Sequence, residues 1–307
     1  MSIWICGEVL MDLLPDGAVV GGGPANTSRS LGRLNQDVEF IAGISTDEYG
    51  YKVRGTLLRD GVGLRHIHVS EKQTATASVV LDVDGVATYK FLTDETATFD
   101  FHLSWLPDPS RFKPSILYVG TLATVIEPGA TELLSWARVV SEFAPVIYDP
   151  NVRSAVLNDR EKYLQNIDKW IEISSIVKVS EDDLAWLYPN QPLADVAQKW
   201  IDRGVVLVVV TLGEKGAAGF TIDESIEVSG VNVDVIDTVG AGDTVGAILV
   251  DAIQEFGPLN LRGEVLKQVL NCAVIAAGIT CSRAGAEPPT RSELTLELER
   301  SGRDAIY

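Results

Sequence analysis

A chain of 307 residues is long enough for about two domains, or for one large α/β domain with a small appendage. At this length roughly three quarters of the unfolded surface can be buried, so folding requires no disulfide or metal staple. Its 43 acidic residues against 25 basic ones give a net charge of −18, a field that repels nucleic acid and anionic membranes. An anionic nucleotide is still admissible, because local amides and a metal ion outweigh a distant field. Cys6, Cys272 and Cys281 lack metal-like spacing and lie in apolar runs, as reduced core thiols do. His66 and His68 alternate along an expected strand and read as surface residues, and His102 is isolated. No basic start precedes a long apolar core and no run reaches transmembrane length, so a cytoplasmic location is expected.

In chain order, residues 3–10 are rich in strand formers and predict a buried strand, with Asp12 as the first carboxylate after it. Asp12 suits a ligand contact or a simple turn, and Asp16-Gly17 predicts a tight turn between two short strands. Gly21-Gly22-Gly23-Pro24-Ala25-Asn26 then opens a helix to about Leu34. Glycines admit a ligand close to the backbone, and Asn26 offers a donor and acceptors to neighbouring hydroxyls. A dinucleotide fingerprint fails here, because Asn26 stands where the third glycine belongs. Residues 76–81 and 87–92 alternate β-branched and polar residues around Asp82-Val83-Asp84-Gly85, the pattern of a hairpin. Tyr89 and Phe91 share one face of it, set either against a ligand or in an apolar core.

From residue 115 onward, short apolar strands at 116–119, 146–148, 176–179 and 205–212 alternate with helical stretches such as 131–143 and 159–170. That alternation predicts parallel strands with crossover helices, a doubly wound α/β fold with a mainly parallel sheet. Ligands in such folds sit beyond the carboxyl ends of the strands. The polar strings fall there: Asp149-Pro150-Asn151-Val152-Arg153, Ser180-Glu181-Asp182-Asp183, and Thr211-Leu212-Gly213-Glu214-Lys215-Gly216. Each has a plain structural alternative. Arg153 suits a surface salt bridge, Ser180 an N-cap followed by acids, and the glycine turn a hairpin. Near the end, 265–279 reads as a helix followed by Arg283-Ala284-Gly285-Ala286.

Asp237-Thr238-Val239-Gly240-Ala241-Gly242-Asp243-Thr244 carries the sharpest signal, between a β-branched run at 228–236 and a helical run at 244–256. Small residues let the amides of Gly240, Ala241 and Gly242 face one point at a helix start, where free N–H groups and the dipole favour an anion. Asp243 follows as a carboxylate able to take a proton from a hydroxyl. An anion cradle beside a base is what phosphoryl transfer to an alcohol requires. A capped turn is the structural alternative.

The octapeptide resembles the carboxy-terminal signature of the ribokinase-like (PfkB) sugar kinases, and the Gly22-Gly23-Asn26 segment resembles their amino-terminal one. This resemblance spans essentially the whole chain. It implies a ribokinase-like core at 1–11, 21–71 and 104–307 and a small β-sheet lid at 12–20 and 72–103. By resemblance, Asp12, Gly22, Gly23, Asn26, Tyr89, Phe91, Asn151 and Arg153 bind the sugar. Asp243 is then the base, with Gly240, Ala241 and Gly242 as the anion hole. Ser180, Thr211, Gly213 and Gly216 approach ATP. Asp237, Val239, Thr280 and Gly285 hold a monovalent cation such as potassium, and Asp183 acts indirectly on magnesium. Several positions depart from the family pattern: Asn35 follows the first helix in place of Gly or Ser, and Ser180 and Asp183 replace Asn and Glu. Val274 stands where an adenine-contacting Asn is common, with Asn271 one turn earlier as the substitute contact. The implied activity is ATP-dependent phosphorylation of a sugar hydroxyl. The DPNxR string is similar to that of fructokinases and ketodeoxygluconate kinases, so fructose leads, ahead of 2-keto-3-deoxygluconate and ribose. A sugar-binding regulator that has lost chemistry is the reading from another class. Small molecules rather than nucleic acid or membrane are the expected partners, with a homodimer through the lid.

Overall fold

Short runs of Ile, Val and Leu buried on both faces build the main sheet, and amphipathic stretches between them supply its crossovers. The computed structural model describes residues 1–14, 17–81 and 87–303, the side chains of 79–81 and 87–89 excepted. Its strands are β1 (Ile3–Cys6), β2 (Leu10–Leu14), β3 (Gly17–Gly21), β4 (Val38–Ile41), β5 (Gly43–Ser45), β6 (His68–Ser70) and β7 (Thr76–Leu81). They continue with β8 (Ala87–Leu92), β9 (Ile116–Gly120), β10 (Val146–Asp149), β11 (Ile176–Ser180), β12 (Leu207–Thr211), β13 (Gly216–Phe220) and β14 (Ser225–Ser229). The helices are α1 (Gly23–Arg33), α2 (Glu48–Arg59), α3 (Pro109–Phe112), α4 (Gly129–Val140), α5 (Arg160–Ile171), α6 (Glu181–Leu187), α7 (Leu193–Ile201), α8 (Ala241–Phe256), α9 (Gly263–Cys281) and α10 (Arg291–Ser301).

The eight-stranded sheet runs β14-β13-β12-β11-β10-β9-β1-β4, parallel from β4 to β12 and antiparallel through β13 and β14. Period-two alternation splits each strand between two cores. Ile3 and Ile5 face the layer of α1, α8 and α9, while Trp4 and Cys6 face that of α4, α5 and α7. The chain runs from β1 outward to β4, then from β9 outward in the other direction. The crevice between β1 and β9 is therefore the topological switch point.

A second sheet, β3-β2-β7-β8, stands apart from the first. Strands β7 and β8 pair antiparallel at the positions of the expected hairpin, and β2 pairs with β7 in parallel. The expected turns around Asp16 and at 82–85 lie outside the described residues, as does the side chain of Tyr89.

Two expectations are corrected. The strand predicted over 3–10 breaks into β1 and β2, because Gly7 adopts φ 153 and packs so tightly that an added Cβ would lie 2.3 Å from Pro24 Cγ. His66 and His68 are half-buried in aromatic contacts: His66 meets Trp4 and Phe112 edge-on, and His68 stacks on Trp105 at 5.1 Å. Against expectation, α9 is by length and apolarity able to cross a membrane. Most of it is buried against α8, β13 and β14, as a core helix would be. Asn35 takes φ 61 directly after α1, the left-handed conformation expected of Asn at a helix end.

Candidate active site

The carboxyl ends of β1, β9, β10, β11 and β12 open on one edge of the sheet, where the amino ends of α1 and α8 also arrive. Asp243 lies in the first turn of α8, buried at 7% exposure. Its Oδ2 accepts a 2.9 Å hydrogen bond from Asn26 Nδ2 on α1, and its backbone carbonyl accepts from Thr27 Oγ1 at 3.3 Å. Gly23 is the meeting point of the strand ends. An added Cβ there would stand 2.8 Å from Thr121 Cγ2, 3.0 Å from Asn151 Nδ2 and 3.2 Å from Asp243 Oδ1. Gly22 has φ 105 and lies against the Glu8 carbonyl, so both glycines are required by close approach.

Two of the six non-glycine residues with positive φ among the described residues lie at the same place. Thr121 after β9 has φ 57 and Asn151 after β10 has φ 37, values costly for a side-chain-bearing residue and above all for β-branched threonine. Glu8 holds Thr121 by accepting from its hydroxyl, and Ala123 N–H donates to the same carboxylate at 3.0 Å.

Beneath the α8 terminus lies a buried network absent from the sequence expectations. Lys178 Nζ donates to Asp149 Oδ2 at 3.0 Å, and Tyr118 donates its hydroxyl to the same oxygen at 2.8 Å. Lys178 is so close under Gly242 that an added Cβ would be 3.0 Å from Nζ. Burial pulls the Lys178 ammonium down, but Asp149 and Asp243 outweigh it and leave its pKa raised. Burial likewise raises the Asp243 carboxyl, against opposing pulls from Lys178 and Asn26. Two buried oxygens here, Asn26 Oδ1 and Asp149 Oδ1, have no hydrogen-bond partner among the described residues. Asp149 heads a polar string at a strand end, and a lysine inside the apolar run Ile176-Val177-Lys178-Val179 is the further sequence signal for this network. Tyr118 gave none.

The remaining expected residues divide by location. Asp12 on β2 reaches across the mouth, its Oδ2 filling the space that Gly21 leaves. Burial pushes its pKa up to about 6, and the Arg153 charge partly opposes this. Asp12, Ala77 and Phe91 are aligned across β2, β7 and β8 and so share a sheet face. Phe91 is half-buried against the core cluster of Trp4 and Phe99, which favours the lid-core alternative for it. Arg153 is exposed, bonds the carbonyl of Val152 at 3.1 Å, and makes no ion pair among the described residues, against the salt-bridge alternative.

Ser180 and Asp183 form a capping box at α6, with Asp183 Oδ1 also accepting from Val152 N–H at 2.9 Å. Both Asp183 oxygens are thereby engaged, so the residue fits poorly as a direct metal ligand. Ser180 and Thr211 are paired neighbours on β11 and β12. Gly213, at φ 59, has open space before it, whereas Gly216 is packed against the Val228 carbonyl for the β12–β13 hairpin. Asp237 joins two loops by accepting from Val239 N–H at 3.0 Å and Gly285 N–H at 2.9 Å. The Thr280 hydroxyl is bonded to Thr244 and to the Ala276 carbonyl. Of the three amides expected to converge, that of Ala241 turns to the Thr238 carbonyl at 3.3 Å, which leaves those of Gly240 and Gly242. Asn271 is not brought to this cradle; nine residues of α9 separate it from Thr280, about 13 Å of helix.

The pfkB family carbohydrate kinase profile matches residues 17–293, most of the chain. This chain belongs to that family. A fructokinase from Rhizobium leguminosarum bv. trifolii is 33% identical over 256 residues, 80% of this chain and 77% of the relative. Among solved structures, a fructokinase from Xylella fastidiosa with bound ATP superposes with a TM-score of 0.90, at 24% identity and over 98% of this chain and 99% of its own. A double-mutant fructokinase from Vibrio cholerae O395, solved with fructose, ADP and potassium ion, gives a TM-score of 0.85 at 26% identity, over 97% and 98% of the two chains. The ribokinase-like fold and ATP-dependent carbohydrate kinase activity expected from the two signatures both stand. The small β3-β2-β7-β8 sheet is the separate sheet of that fold.

Proposed function

We propose that this kinase transfers the γ-phosphoryl group of ATP to a hydroxyl of fructose, with Asp243 as general base. The observation that carries the proposal is the buried Asp243 carboxylate at the α8 terminus, held through one oxygen by Asn26. Its other oxygen faces the gap left by Gly23, where a sugar hydroxyl would lie. In this mechanism Oδ1 takes the hydroxyl proton, the oxygen attacks the γ-phosphorus, and ADP leaves with the electrons of the broken P–O bond. The Gly240 and Gly242 amides and the Lys178 ammonium stabilise charge on the transferred group. Asn26 Oδ1, buried with no donor among the described residues, suits a second hydroxyl; Asn151 borders the same gap, and the Arg153 charge acts on both Asp12 and Asp243.

Thr211 and Gly213 lie on the approach to the nucleotide. Magnesium enters with ATP as part of the substrate and screens its phosphates. Asp183 acts on it only through the Val152 turn that it fixes. A potassium ion beside Asp237, Val239, Thr280 and Gly285 would be held by oxygens of this turn, the Asp237 carboxylate among them, since each of its oxygens accepts one N–H and keeps a lone pair. Apolar Leu14, Val19 and Leu92 on the lid are exposed and favour a lid-to-lid homodimer. The acidic chain is placed in the cytoplasm, without nucleic-acid or membrane partners.

The exposed Arg153 guanidinium, without an ion pair among the described residues, favours a second reading, a sugar acid such as 2-keto-3-deoxygluconate. ADP release with Mg-ATP across fructose, 2-keto-3-deoxygluconate, ribose and adenosine, with and without potassium, decides between them. Fructose is expected to lead. Preference for another sugar overturns the substrate assignment. Silence across the panel, with sugar-dependent thermal stabilisation, would indicate a binding regulator.

A further inference from the structure

Helix α1 carries two arginines one turn apart that no part of the mechanism above uses. Arg29 is 5% exposed and donates in three directions. Its Nε meets Asp60 Oδ2 at 2.6 Å, Nη1 the Ala286 carbonyl at 2.9 Å and Nη2 Glu287 Oε1 at 2.8 Å. Arg33 repeats the pattern with Asp60 Oδ1 at 2.9 Å, the Pro288 carbonyl at 2.7 Å and Glu287 Oε2 at 2.6 Å. Side chains four apart share a helix face, so both guanidinium forks grip one acid at the end of α2 and one in the 283–288 turn.

That turn supports the phosphate cradle. Gly240, at φ 81, lies so close to it that an added Cβ would stand 2.7 Å from Ala286 Cβ and 3.0 Å from its Cα. Gly285 N–H anchors the start of the cradle loop by donating to Asp237. Helix α1 therefore holds the base directly, through Asn26, and the cradle indirectly, through Arg29 and Ala286. Arg33 shares the Glu287 side chain with Arg29, but the carbonyl it fixes is that of Pro288, two residues beyond Ala286.

We infer that Arg29 is a positioning residue for the nucleotide: by fixing the Ala286 carbonyl it sets the turn against which Gly240 packs, and so the placement of the phosphate-binding amides. This rests on the kinase reading above. It predicts a one-sided defect. Calorimetric titration with Mg-AMP-PNP and with fructose is compared with KM for ATP and for fructose in wild type, Arg29→Met, Arg29→Lys and Arg33→Met.

Arg29→Met is expected to weaken the nucleotide analogue and raise KM for ATP about tenfold, with fructose affinity within twofold of wild type. Arg29→Lys, which keeps the charge but not the three-way fork, should show the same defect at smaller size. Arg33→Met should lower the melting temperature and leave analogue affinity near wild type. A folded Arg29→Met with wild-type analogue affinity overturns the inference, as does an equal loss in Arg33→Met. If Arg29→Met does not fold, wild-type analogue affinity in Arg29→Lys overturns it. A wild type that binds no analogue overturns the kinase reading and the inference together, whereas one that binds analogue but not fructose overturns only the sugar.

Discussion

At the scale of residues, the site sets a buried carboxylate against a buried ammonium and lets neither relax. Asp243 is raised by desolvation and held back by Lys178 and Asn26, so it stays a base but a stronger one than an exposed aspartate. Only its ionised form accepts a proton, and kcat/KM should therefore fall as pH drops through its raised pKa. Lys178→Met removes the ammonium that pulls this pKa down. The acid limb of the profile should then move to higher pH, together with a loss of rate; a limb that stays in place would contradict the assigned coupling. Much of this constellation was legible beforehand, because Asp243, Asn26 and the glycines carry a local pattern. Lys178, Asp149 and Tyr118 meet only through neighbouring strands, and nothing in sequence spacing reports which strands are neighbours.

Elements bring these residues together by their ends. Two helix amino termini and five strand carboxyl ends converge where α1 and α8 pack, and glycine is what allows the approach. Gly23→Ala would place a methyl group against Thr121, Asn151 and Asp243, within 2.8 to 3.2 Å of each. Its expected effect is a KM for sugar raised tenfold or more, on the order of the 1–3 kcal/mol typical of overpacking, with KM for ATP little changed. Equal rises for both substrates would place Gly23 elsewhere in the mechanism. The capping box at Ser180 illustrates a motif with a local explanation that suffices: its side chain and that of Asp183 satisfy each other's backbone, and Asp183 then orients the Val152 turn. Sequence periodicity located the elements well, yet it joined β1 to β2. There glycine geometry and close packing redirected an apolar run, an override that propensity does not register.

Over the whole molecule, a doubly wound core carries Asp243 and the turn at 240–242, while the small sheet carries Asp12, packed against Gly21. Alternation of strands and helices made the core foreseeable, and the hairpin at 76–92 stood out because it breaks that alternation. The root of the small sheet is tied down on several sides: Asp47 accepts from Thr74 N–H at 2.8 Å and from its hydroxyl at 2.7 Å, and Val9 N–H donates to Thr98 Oγ1 at 2.8 Å. A ligand that binds the folded state alone stabilises it by mass action. Fructose at a hundred times its Kd should contribute about 2.7 kcal/mol and raise Tm by a few degrees. No shift with fructose, alongside a shift with another sugar, would reassign the substrate. Proton transfer to Asp243 is tested by Asp243→Asn, assayed for fructose-dependent ADP release beside calorimetric binding of fructose and Mg-AMP-PNP. Turnover is expected to fall by about 10²–10⁴ with both affinities nearly intact; turnover close to wild type would remove Asp243 as the base.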